Sequence, residues 1–144
     1  MLFENILIYI LVSPIIGVFL LLMISDKEKN FLKLIALNFS FLPFIGLLFT
    51  WIFFQKSLAN FQFVTKIFWF PSLNLNLTLG IDGISIFFLL LTTLLIPICI
   101  LISWNSINHK LKEYLISFLI LEFLLIGVFC ILDLLLFYIF FESV

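Results

Sequence analysis

Four stretches of this sequence are each about as long as the 20 apolar residues that a helix needs to cross a bilayer. They are Asn5–Ile24, Phe31–Phe54, Ile84–Ser103 and Tyr114–Leu132, and the only charged side chains inside them are Lys33 and Glu122. Hydrophobic residues make up 65% of the 144-residue sequence and charged residues 10%, against about 45–50% and 25% in soluble domains. No soluble core of this size hides so much apolar surface. A fifth apolar helix begins at Leu134. The expected fold is an all-α integral membrane protein: four complete transmembrane helices plus the start of a fifth, forming one transmembrane domain over residues 1–144. The segment before the first run holds Glu4 and no basic residue, so that run reads as a mature helix rather than a cleaved signal.

Residues 61–80 have a different pattern. Leu73 to Leu79 alternates apolar and polar residues, which is the period of a half-buried strand. Phe61 to Phe70 is rich in aromatic and β-branched residues, and Pro71-Ser72 between the two suits a turn. Open strands are not tolerated in lipid. The segment is therefore expected to be an extramembrane β-hairpin on the membrane surface. Asp82 then stands where it can cap the third helix.

Lysine placement sets the orientation. Lys27, Lys29, Lys33, Lys110 and Lys112 belong to the first and third loops, and Lys56 and Lys66 to the opposite side. The lysine-rich loops are expected inside, and the N-terminus and hairpin outside. Trp51, Trp69 and Trp104 are placed at the interfaces. Lys33, near a helix end, is expected to snorkel. Pro14, Pro43 and Pro97 each interrupt one helix, either for packing shape or to line a polar path.

Several functions are excluded or weakened. A net charge of −1 gives no sign of nucleic-acid binding. His109 is the only histidine, so a haem held by two histidines cannot be built from this chain alone. Cys99 and Cys130 lie in apolar runs and read as small buried hydrophobes.

What remains is acidic. From Leu132, Glu122 lies ten residues back and Glu142 ten residues forward. At about 1.5 Å per residue both reach roughly 15 Å into the membrane. A charge there costs about 2.5–3.5 kcal/mol on insertion scales, so such groups usually face a bundle interior or a water path. Proton relay is the functional reading for both; a carboxyl hydrogen-bonded between helices is the structural one. Asp133 sits at the turn and either caps the fifth helix or marks the mouth of a proton path. No lysine partner for the buried carboxyls occurs within these runs apart from Lys33, which lies near a helix end.

Asp133-Leu-Leu-Leu-Phe-Tyr-Ile-Phe-Phe-Glu142-Ser-Val resembles the fifth-helix signature of the antiporter-like subunits of respiratory complex I, NADH:ubiquinone oxidoreductase. Leu79 to Phe88 resembles the start of their third helix, and Leu91 to Leu101 extends the match toward the chain 4 type. The resemblance implies a proton-translocating membrane-arm subunit, or a split fragment of one. It is an enzyme subunit whose redox chemistry is not on this chain. Glu142 matches the glutamate assigned to proton translocation, and Asp133 matches an acidic position at the start of the signature.

The resemblance further implies no cofactor on this chain, with NADH, FMN, iron–sulfur clusters and ubiquinone elsewhere in the complex. The implied partners are other membrane-arm subunits and the lipid bilayer. Family members are several times longer, so a second polypeptide continuing after Val144, or a truncated sequence, is expected. The skew toward Phe, Ile, Asn and Lys suits an AT-rich genome, that of an organelle or of a bacterium. With the resemblance it places the chain in the mitochondrial inner membrane, N-terminus toward the intermembrane space. The competing readings are a structural membrane scaffold and a subunit of a cation/proton antiporter.

Overall fold

The computed structural model describes residues 5–55, 57, 60–70, 75–107 and 109–144. In chain order they form α1 (Ile6–Met23), α2 (Lys29–Phe53), β1 (Gln62–Phe70), β2 (Leu75–Ile81), α3 (Ser85–Ile102), α4 (Leu111–Cys130) and α5 (Leu134–Ser143). The first four helices are long and apolar enough to cross a membrane, and α5 is a shorter apolar helix. The expected architecture, helices plus one two-stranded antiparallel hairpin, is the one observed.

Helix boundaries depart from the apolar runs at the polar ends. α2 starts at Lys29 rather than Phe31, and α4 at Leu111 rather than Tyr114. A first turn outside the lipid has no need to be apolar, so hydropathy starts these helices too late. Glu113 in the first turn of α4 also favours the positive end of the helix dipole. α4 stops at Cys130 because Ile131 is extended (φ −77°, ψ 126°).

α4 is the central helix; it packs against α1, α2, α3 and α5. Lipid is as apolar as leucine, so helices in a membrane associate through close packing of small residues rather than through the hydrophobic effect. Gly17 shows this. A Cβ placed there would lie 2.7 Å from Phe39 Cβ and 3.0 Å from Leu119 Cδ1. The first of these atoms is tied to the α2 backbone and cannot swing away. Gly17→Ala should therefore force α1 off α2 and cost about 1–3 kcal/mol. The check is a lower thermal midpoint for the detergent-solubilised protein; an unchanged midpoint would mean the helices slide apart freely here.

The buried apolar residues form two clusters, one at each end of the bundle. One joins the start of α1 (Leu7, Leu11), Leu47 of α2, the start of α3 (Ile86, Leu89) and the end of α4 (Ile126, Cys130). The other joins Leu21 of α1, the start of α2 (Leu32, Ala36), the end of α3 (Ile96, Ile100) and the start of α4 (Leu115, Leu119). On α4, Glu122 falls between them.

The hairpin covers the first end. Its register pairs Thr65 with Leu79, Lys66 with Thr78 and Ile67 with Leu77. As the alternation requires, Leu79 and Ile81 are fully buried in the first cluster and Leu77 packs against it. β1 is irregular between Gln62 and Thr65, where Phe63 has a positive φ of 54°. The Leu132 amide donates to Thr78 O at 2.9 Å, and Leu79 bridges Ile131. The hairpin is thus hydrogen-bonded to the α4–α5 connection. The turn expected at Pro71-Ser72, with Leu73 and Asn74 beside it, lies outside the described residues.

Asp82 caps α3 as anticipated. Its Oδ1 accepts from the Ser85 amide at 2.8 Å, while its own amide donates to Ser85 Oγ at 2.9 Å. This reciprocal pair has the form of a capping box. The Ser85 side chain, then the Ser85 amide, hold the Asp82 carboxyl below its ordinary value of 3.8. A depressed carboxyl stabilises the fold above its unfolded pKa, and that contribution is lost as pH falls through the folded value. Asp82→Ala should cost about 1 kcal/mol near neutral pH. In a thermal melt series, the gap between variant and parent should close on acidification below the ordinary aspartate range. A gap that is independent of pH would exclude the charged cap.

Candidate functional site

Each spanning helix buries at least one polar group, and α2 also buries Lys33 near its start and Thr50 near its end. Ser13 of α1, Ser40 of α2, Thr93 of α3 and Glu122 of α4 are all buried. On α1, α3 and α4 the polar residue lies between positions that belong to the two apolar clusters, and on α2 Ser40 lies between Ala36 and Leu47. The hydroxyls turn to their own helices. Ser13 Oγ donates to Ile10 O at 2.9 Å, Ser40 Oγ to Leu37 O at 3.1 Å and Thr93 Oγ1 to Leu89 O at 2.8 Å. Pro14, Pro43 and Pro97 are buried on the same three helices.

Glu122 alone is left over. It is 0% exposed, and neither carboxyl oxygen has a hydrogen-bond partner among the described residues. Among the described residues the interhelical hydrogen bond that a purely structural carboxyl would make is not formed. A buried polar atom without a partner costs about 1–3 kcal/mol, and more when charged. Such exceptions mark strain, catalysis or a site for water or an ion.

Glu142 lies eight residues beyond the first residue of α5, and Glu122 eight residues before the last residue of α4. At about 1.5 Å per residue each is roughly 12 Å from the shared turn. The two residues are equally far along their helices from the shared turn, but the two carboxyls do not face each other. Phe140 is the residue that α5 turns toward α4: its ring centroid is 5.3 Å from that of Phe123. Glu142 follows two residues later, about 200° around the helix, and is exposed. Glu122 thus points into the bundle and Glu142 out of it.

Asp133 takes the capping role. Its Oδ1 accepts from the Leu135 amide at 3.0 Å and the Leu136 amide at 3.3 Å. That bond sets the start of α5 and so the depth of Glu142.

At the opposite end two lysines, Lys33 and Lys112, are held by the carbonyls of helix C-termini. Lys33 is only 7% exposed. Rather than snorkelling to water, its Nζ donates to Trp104 O, just past α3, and lies 5.5 Å from the Trp104 ring centroid. Lys112 Nζ donates to Leu22 O at 3.2 Å and Ile24 O at 2.8 Å, at the end of α1. Both place a cation where the helix dipole is negative. The hydroxyl layer and the inward turn of Lys33 were not found from the sequence. The only signal was a polar residue interrupting each apolar run.

With this geometry in hand the relatives are informative. A protein of Chondrus crispus is 57% identical over 97% of this chain, and one of Arabidopsis thaliana is 52% identical over 94%. A third, of Marchantia polymorpha, is 47% identical over 94%. All three are NADH-ubiquinone oxidoreductase chain 4. This chain is related to the N-terminal part of chain 4. It spans little more than a quarter of the length of those chain 4 proteins, 28%, 27% and 27% respectively. No family model matches the chain.

Proposed function

We propose that this chain serves in the membrane arm of NADH-ubiquinone oxidoreductase and helps carry protons across the membrane, driven by redox chemistry on other subunits. The observation that carries this reading is Glu122: a carboxyl with no exposure and no partner on the central helix of a membrane bundle. The names of the relatives supply the complex.

Glu142 and Glu122 divide the work. Glu142, on the open flank of α5, exchanges its proton with a basic group of a neighbouring element, and that element covers the flank. Glu122 is the inner station of the relay, a carboxyl on the central helix without a hydrogen-bond partner among the described residues. Asp133 keeps Glu142 at its depth and offers its second oxygen at the outer end of the path. Asparagine at position 133 would cap equally well but could not take up a proton.

NADH, FMN, iron–sulfur clusters and ubiquinone are assigned to other subunits. The setting is the mitochondrial inner membrane, with the hairpin and N-terminus toward the intermembrane space and the lysine-rich ends toward the matrix. A scaffold would gain by bonding Glu122 to a neighbouring helix, and no such bond is made among the described residues.

The test is an affinity-tagged chain expressed in its own membranes. Mild-detergent purification should recover NADH-oxidising, ubiquinone-reducing activity together with the tag, and resealed vesicles should acidify on NADH addition. A tag that purifies without that activity would refute the assignment. Sodium-dependent proton exchange without NADH would replace it with a stand-alone antiporter.

A further inference from the structure

The lysine-rich end of the bundle holds a cavity of about 460 Å³ between the C-terminal end of α1 and the first turn of α4. Three cations line it, Lys29, Lys110 and Lys112, against two carboxyls, Asp26 and Glu113. We infer that this cavity binds the phosphate of an anionic phospholipid, with the acyl chains running down the adjoining apolar surface.

The charges are arranged to accept such a group. Lys112 is fixed in place by the two carbonyls at the end of α1, and Asp26, its 3.5 Å partner, is 82% exposed. Lys110 and Glu113 pair at 3.6 Å with side chains 77% and 72% exposed. Exposed pairs of this kind are weak, so Lys110 can exchange Glu113 for a phosphate. The first turn of α4 forms part of the wall, and its N-cap, Lys110, makes no side-chain capping bond. The positive end of that helix therefore adds to the lysines.

The apolar part of the wall excludes a soluble anion as the better fit. Leu22, Leu111 and Ile116 complete the lining. Leu22 is 55% exposed and Met23, at the very end of α1, 86%. The site thus sits at the level where a spanning helix leaves the hydrocarbon, with basic groups above and bare aliphatic side chains below. Basic pockets of this kind between transmembrane helices recognise anionic headgroups. This inference does not depend on proton transport.

The test uses the tagged chain, purified in mild detergent with whatever it assembles with. It is incubated with photoactivatable phosphatidylglycerol or, separately, photoactivatable phosphatidylcholine. Phosphatidylglycerol should crosslink the segments around Leu22 and Ile116 several-fold more than phosphatidylcholine. The Lys29→Gln/Lys110→Gln double variant should lose that preference, and Lys29→Arg/Lys110→Arg should retain it. Equal labelling by both lipids would overturn the proposal without any variant. Displacement of the label by excess inorganic phosphate at constant ionic strength would instead mark a soluble-anion site. Labelling that is unchanged in the glutamine variant would remove the lysines from recognition.

Discussion

Glu142→Gln is expected to leave the assembled protein intact and to reduce, by several-fold or more, the protons moved per NADH oxidised. Glutamine matches glutamate in size, so helix packing survives. Glu142 is exposed, whereas Leu136 is the buried residue of α5 and Phe140 is the one that meets α4. An amide, however, cannot alternate between charged and neutral forms. The coupling ratio in resealed vesicles is the decisive quantity, since NADH oxidation alone could persist. A variant with the full ratio would take Glu142 out of the proton path.

Glu122→Leu should separate stability from function. Leucine removes two buried oxygens that no described group satisfies, and relief of that penalty should raise stability by about 1–3 kcal/mol. Leu119 and Ile126, on the same side of α4, show that the site accepts aliphatic bulk. The same variant should lose proton transport. A rise in thermal midpoint together with a fall in pumping is the mark of a residue kept for its chemistry at the expense of the fold. If Leu lowers the midpoint and pumping continues, Glu122 is structural, and a bonding partner must exist for it outside this chain's described residues.

Much of the architecture could be read before any coordinates. The spans follow from length and apolarity. The hairpin follows from the alternation that runs from Leu73 to Leu79, and its Leu77 and Leu79 fit the burial that the structure assigns. Asp82 and Asp133 were readable as caps because a cap is a local matter: the bonds run two or three residues along the chain.

Properties that depend on neighbouring helices were less legible. Depth is proportional to residue count, so Glu122 and Glu142 could be placed at one level. Direction is not, because it depends on which face each helix turns to its neighbours. α4 lies at the centre and buries Glu122; α5 lies at the edge and leaves Glu142 outside. Lys33 shows the same limit. From its own segment it was expected to reach for water. Its partner is the carbonyl of Trp104, 71 positions away.

The tie between β2 and the α4–α5 connection bears on how the protein could be handled. Leu132 is held by Thr78 O on one side of Asp133, and Asp133 holds the first amides of α5 on the other. The helix that bears Glu142 is thus tied through this connection to the hairpin. An antibody fragment or crosslinker seated on the hairpin would grip that helix at a distance, without touching it.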